Sequence, residues 1–269
     1  MSTDVAREAA RWRLRVPHRR LGGLAGDRLG RGLGSSVEFE DHRAYQPGDD
    51  PRHVDWRAFA RTDRLDVRRY REEVSPDVDA VIDTSASMGV TPEKAATVSA
   101  LCDSVDRWAA HARGRARVLA AGSGAPITPG VDKGWTGASG PLPPLGVRLR
   151  PRGLRLVLSD FLRPADHLAE LARVADGAAH LFVVQVLSPR ELDPGVLGAV
   201  TLVDVEDGAR IDLQVDAASI AAYQQRLGRL RAEVVSACAR LGATYALVKA
   251  GPFDSVCAQL GRQEVLEPA

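Results

Sequence analysis

The chain has 269 residues, 45% hydrophobic but only 5% aromatic, enough for one large α/β core built from Leu, Val, Ile and Ala. Its 36 basic and 35 acidic residues leave a formal net charge of +1, which excludes a polyelectrolyte. The three cysteines, Cys102, Cys238 and Cys257, are far apart and lack CxxC spacing, which argues against a disulfide framework or a zinc site and for buried thiols in a reducing compartment.

The N-terminal stretch "MSTDVAREAARWRLRVPHRR" is charged and lacks the apolar centre of a signal peptide. Arg11 to Ser36 is basic and glycine-rich, so residues 1–34 are expected to form a basic, flexible arm, with a short helix at most. Residues 35–75 carry turn signals from Gln46 to Pro51, an amphipathic piece around "VDWRAFAR" and a strand from Leu65 to Glu72. In residues 76–265 strands and helices alternate. "VDAVIDT" reads as a buried strand and "PEKAATVSALCDSVDRWAAHA" as a helix with Pro92 in its first turn. "ARVLAA", "LRLVLSD", "HLFVVQVL" and "TYALVKA" read as further strands. "PADHLAELARVA", "ASIAAYQQRLGRLRAEVVSACARLG" and "FDSVCAQLG" read as helices. "AVTLVDVEDGARIDLQV" reads as a hairpin turning at Asp207-Gly208, expected to add an antiparallel edge to the sheet. Strands apolar on both faces and alternating with helices predict a mostly parallel sheet covered on both sides. No stretch approaches the roughly 18 consecutive apolar residues of a membrane span, and a cytoplasmic protein is expected.

In open α/β sheets ligands bind beyond the carboxyl ends of the strands. Two strands here end in aspartate, "AVIDTSAS" at Asp83 and "LVLSDFL" at Asp160. Asp83, Ser85 and Ser87 put one carboxylate and two hydroxyls at alternate positions of a single loop, an all-oxygen set suited to a hard cation such as magnesium. The competing reading is helix capping by one of these side chains. Asp160 adds a second carboxylate if the two strands are neighbours, or else caps the turn before "FLRPAD".

"DTSAS" matches the D-x-S-x-S motif of the metal-ion-dependent adhesion site in von Willebrand factor A domains, and "LVLSDF" resembles the strand bearing that site's second aspartate. Upstream, Arg43, Tyr45, Gly48, Asp49, Arg52, Asp55, Trp56, Ala60 and Arg61 resemble the signature of the bacterial family called domain of unknown function 58, and the likeness runs from about Val37 to Leu260. The resemblance implies a von Willebrand factor A-like, Rossmann-type α/β fold with an open, mostly parallel sheet and helices on both faces. An N-terminal extension with short strands would pack on that core as residues 35–75. The implied metal ligands are Asp83, Ser85, Ser87 and Asp160, with a threonine from the intervening loop. That threonine is taken as Thr136, with Thr128 and Ser139 as rivals. The implied cofactor is Mg2+, with Mn2+ or Ca2+ as alternatives. The implied partners are a MoxR-type AAA+ ATPase and a client protein presenting an acidic residue, in chaperone-like maturation of other proteins.

The expectation is therefore a non-catalytic interaction module, with neither membrane nor nucleic acid as partner. The alternatives are a metal-dependent phosphohydrolase using Asp83 and a nucleic-acid binder using the N-terminal arginines. The first would want a second carboxylate where Ser85 stands. The second would show steep salt dependence.

Overall fold

A computed structural model describes residues 2–16, 37–47, 49, 52, 54–72, 77–130, 134, 135, 137, 140–143 and 146–269, with backbone only for 37–42 and 68–72. Thr136, Ser139, Gly48 and most of the basic arm, residues 17–34, lie outside the described residues. The chain divides into two compact units, residues 1–16 with 75–269, and residues 17–74.

The larger unit begins with α1 (Thr3–Ala9) and β1 (Trp12–Leu14). The expectation of a flexible arm over residues 1–34 is thus corrected at its start. Ser2 caps α1, α1 packs on two later helices, and Arg13 and Arg15 pair with Glu267 and Glu264. In the smaller unit, β2 (Val37–Ala44) and β3 (Asp66–Glu72) form an antiparallel ladder on either side of α2 (Trp56–Thr62). Three residues of the segment that resembles the family signature define its local structure. The Arg43 guanidinium grips Asp49 with two nitrogens and, with the Gln46 N–H, holds that carboxyl below the usual carboxylate range. Asp55 caps α2 by accepting from the Arg57 and Ala58 N–H groups.

The larger unit continues with β4 (Val78–Ile82), α3 (Pro92–His111), β5 (Ala116–Ala120), β6 (Leu154–Ser159), α4 (His167–Ala175), β7 (His180–Leu187) and the single turn α5 (Pro189–Leu192). It closes with β8 (Gly198–Val203), β9 (Arg210–Val215), α6 (Ala217–Leu241), β10 (Thr244–Lys249), α7 (Phe253–Arg262) and β11 (Leu266–Pro268), which pairs antiparallel with β1. Five strands form one parallel sheet in the order β10-β7-β6-β4-β5. Val81, Val157, Val183 and Tyr245 share one register row and pack against Leu171 and Val174 of α4 and Val234, Ala237 and Cys238 of α6. Helices α3 and α7 pack on each other and on β4, β5 and β10. This is an open, Rossmann-type α/β fold with every residue of β4 and β6 buried.

The chain enters the sheet at β4, moves outward to β5, then returns past β4 to β6. Strand order therefore reverses between β5 and β6, and the switch point lies at the carboxyl ends of β4 and β6. The hairpin β8–β9 forms as expected but does not extend the sheet. It is a separate two-stranded sheet, and Leu202, Ile211 and Leu213 on it stay exposed.

Candidate metal centre at the sheet switch point

Asp83 leaves β4 with its N–H bonded to Leu158 O of β6, so the two strand ends lie side by side. Asp83 Oδ1 accepts from Ser85 N (3.0 Å) and Ser85 Oγ (2.6 Å), and Ser85 Oγ stands 3.1 Å from Ser87 Oγ. Asp83 Oδ2 accepts from Ser159 Oγ at 2.7 Å. The three motif side chains therefore converge. The capping alternative fails for the long helix, because α3 is capped by Thr91, whose Oγ1 accepts from Lys94 N at 3.2 Å. Ser85 does precede a one-turn 3-10 helix (Ala86–Gly89), but its side chain makes no capping bond there.

Asp160 is adjacent yet differently committed. Its Oδ1 accepts from Leu162 N at 3.1 Å, as the turn reading expects. Its Oδ2 accepts from Lys94 Nζ at 2.9 Å, and the same ammonium donates to Glu191 Oε1 at 2.7 Å. Lys94 is fully buried. Glu191 also closes a capping box with Ser188. The Asp160 main chain is tied down by Gln185, whose Nε2 donates to Asp160 O at 2.6 Å while Tyr245 Oη donates to Gln185 Oε1. Buried Phe161 follows at φ 54°, a left-handed value rare for a bulky residue and located at the site's own turn.

Thr136 itself is outside the described residues, but its flanks are not. Gly137 N donates to Thr84 O at 3.0 Å, and a Cβ on Gly137 would stand 2.8 Å from that oxygen. A Cβ on Gly89 would meet Trp135 Cβ at 2.7 Å. The loop around Thr136 thus packs closely on the loop carrying Ser85 and Ser87. The rival Thr128 is exposed.

The donor chemistry fits a hard cation, and Asp83 decides the fit. The residue is 7% exposed, and among the described residues its carboxylate meets hydroxyl and amide donors but no cation. A buried carboxylate without a cation carries a desolvation cost of several kcal/mol, which a bound divalent ion would offset. Asp160 fits less well as a direct ligand, because Lys94 already balances it. Among the described residues no three carboxylate, imidazole or thiol groups converge, so the cation would rest on one carboxylate and neighbouring hydroxyls.

Three residues were not anticipated as part of the site. Lys94 had a signal, since it falls on the α3 stripe of Val98, Leu101, Val105 and Trp108, where a lone cation implies a buried partner. Ser159 directly precedes Asp160 on the strand beside β4. Glu206, whose Oε1 accepts from Ser87 N at 3.1 Å, lies 119 residues from Ser87 and had none.

An open parallel α/β domain with a carboxylate–hydroxyl cluster at its switch point is the class defined so far. The model of the family described as "protein of unknown function DUF58" matches residues 41–134 and 132–233, and the chain belongs to that family. Uncharacterized proteins of Mycobacterium bovis and Mycobacterium tuberculosis are each 29% identical over 255 residues, covering 86% of this chain and 80% of the relative. The crystal structure of the conserved hypothetical protein BatB from Bacteroides thetaiotaomicron is similar at a TM-score of 0.36 and 12% identity, over 70% of this chain and 98% of that one. Among the described residues no helix is long and apolar enough to cross a membrane.

Proposed function

We propose that this protein is a non-catalytic interaction module that binds an acidic side chain of a partner through a divalent cation held by Asp83, Ser85 and Ser87. The observation that carries the reading is the buried Asp83 carboxylate, faced by convergent serine hydroxyls and by no cation among the described residues. Magnesium suits such an all-oxygen set and keeps positions open; manganese or calcium accept the same donors. The cation would supply the positive charge that receives a partner's carboxylate. Asp160 would act as an outer charge balanced by Lys94, and Thr136 as the further hydroxyl.

The resemblance to chains that work beside MoxR-type AAA+ ATPases makes such an ATPase the proposed partner. A client presenting an acidic residue would be the second, in chaperone-like maturation of other proteins. Binding is favoured over phosphoryl transfer because Ser85 stands where the second, acid–base carboxylate of a phosphohydrolase would be needed.

The test has two arms. Titration with Mn2+ followed by electron paramagnetic resonance should show a single site in the wild type that is lost in Asp83→Asn. Capture of the MoxR-type ATPase should need both Asp83 and Mg2+. Capture that survives Asp83→Asn and chelation alike overturns the reading. Phosphoester hydrolysis lost in Asp83→Asn would replace it with an enzyme.

A further inference from the structure

The hairpin β8–β9 reaches the candidate site with one side chain. Glu206, at its tip, accepts a hydrogen bond from Ser87 N, the backbone of a residue whose hydroxyl belongs to the oxygen cluster. The tip is built to aim that carboxylate. Glu206 N donates to Asp204 Oδ1 (2.7 Å), Ala209 N to Asp207 Oδ1 (2.8 Å), and Gly208 N to Asp204 O (3.0 Å), with Gly208 at φ 74°. Such Asx-type bonds hold a short turn in one conformation. The arm behind the tip is loosely attached. Its two strands pair only with each other, and most of its side chains are exposed. An element with few buried contacts opens at low cost.

We infer that Glu206 is an internal carboxylate ligand, which occupies the position a partner's acidic side chain would take and is displaced when the partner binds. The inference rests on the metal-binding reading above and adds its regulation. The chemistry is consistent on both sides of the exchange. A cation bound at Asp83 would want a further carboxylate, and the side chain that already accepts from the backbone of Ser87 is one. Unlike Asp83, Asp160 and Glu191, Glu206 is exposed, so its position there is not a requirement of burial. A tethered group acts at an effective concentration on the order of millimolar. Only a partner that presents its carboxylate with further contacts would then compete, which screens the site from free small carboxylates.

The experiment uses full-length wild type and Glu206→Gln, each loaded with Mn2+, and acetate as the probe. Bound Mn2+ broadens the acetate proton resonance only when acetate reaches the ion. Gln keeps an oxygen that can accept from Ser87 N but loses the negative charge that would face the cation, which predicts an apparent acetate affinity about fivefold higher in Glu206→Gln. Because the substituted side chain is exposed, an unchanged melting temperature serves as the folding control. Equal acetate broadening in the two Mn2+-loaded proteins overturns the inference and leaves the metal site standing. Absence of Mn2+ binding to both proteins overturns the metal reading and this inference with it. Weaker acetate binding in Glu206→Gln would show that Glu206 assists the ligand instead of competing, and also overturns the inference.

Discussion

Lys94 is the point at which the site's energetics are easiest to test. Its ammonium is wholly buried and shared by Asp160, whose side chain is 3% exposed, and Glu191, at 15%. Replacing Lys94 by Met keeps most of the stem's packing and removes the charge. Glu191 is partly reached by water and keeps the Ser188 N–H, so its share of the cost is small. Asp160 keeps only the Leu162 N–H as a hydrogen-bond donor. Removing one partner of a buried pair costs about 3–5 kcal/mol, because the other charge is left uncompensated. In a chain of this size that is a fall in melting temperature of roughly 6–20 °C. Urea unfolding at neutral pH should show the lower midpoint with an unchanged slope. The double variant Lys94→Met/Asp160→Asn removes the stranded charge and should recover much of the loss. A Lys94→Met protein as stable as the wild type would refute the account, since it would mean that Asp160 is balanced by something other than Lys94.

Gly137→Ala should lower stability by about 1–3 kcal/mol, because its Cβ would meet the Thr84 carbonyl and the backbone must shift; urea denaturation checks this. His167 is buried, and burial holds its pKa below the ordinary value against the pull of Glu170, Glu233 and Asp166, with Arg163 adding to the lowering. The native state therefore favours the neutral ring. Its stability contribution should be complete above the unfolded-state pKa of about 6.5 and lost as pH falls below it. Melting curves from neutral to mildly acidic pH should thus be flatter for His167→Phe than for wild type. All three cysteines are buried, and burial pushes the Cys238 and Cys257 thiols up to about 12. Ellman's reagent should find almost no reactive thiol in the folded protein and three after denaturation.

The parts of the fold legible in sequence were those written locally. β4, β6 and β7 are apolar on both faces, which only a strand covered on both sides needs. Asp83, Ser85 and Ser87 were legible for the same reason, since one loop carries all three. What could not be read depends on distant chain. β1 and β11 are three residues each, too short for any periodicity. They exist because Trp12 packs on Gly261, where even a Cβ would come within 2.7 Å of the indole, and because the two ends pair. The hairpin was recognisable from its Asp-Gly turn, but nothing in its own residues says whether it joins the main sheet. Asp160 shows the limit most clearly. Its place at a strand end was predictable, whereas its neutralisation by Lys94 depends on how α3 packs across the sheet.

That division of charge bears on how the proposed site would work. The Lys94 ammonium is committed to Asp160 and Glu191, whereas Asp83 meets only hydroxyl and amide donors among the described residues and Glu206 accepts from Ser87 N. A cation at Asp83 would therefore meet one free internal carboxylate, hydroxyls, and whatever carboxylate approaches from outside. With so few anionic ligands of its own, the protein alone would hold the ion weakly, and an incoming carboxylate would add a substantial part of the attraction. Thermodynamic linkage makes the effect mutual: whatever factor the partner adds to cation affinity, the cation adds to partner affinity. In the same scheme Glu206 would be the carboxylate that retains the ion between partners. Under the proposed function, Lys94, by engaging Asp160 and Glu191, would keep the ion's affinity dependent on the group that arrives.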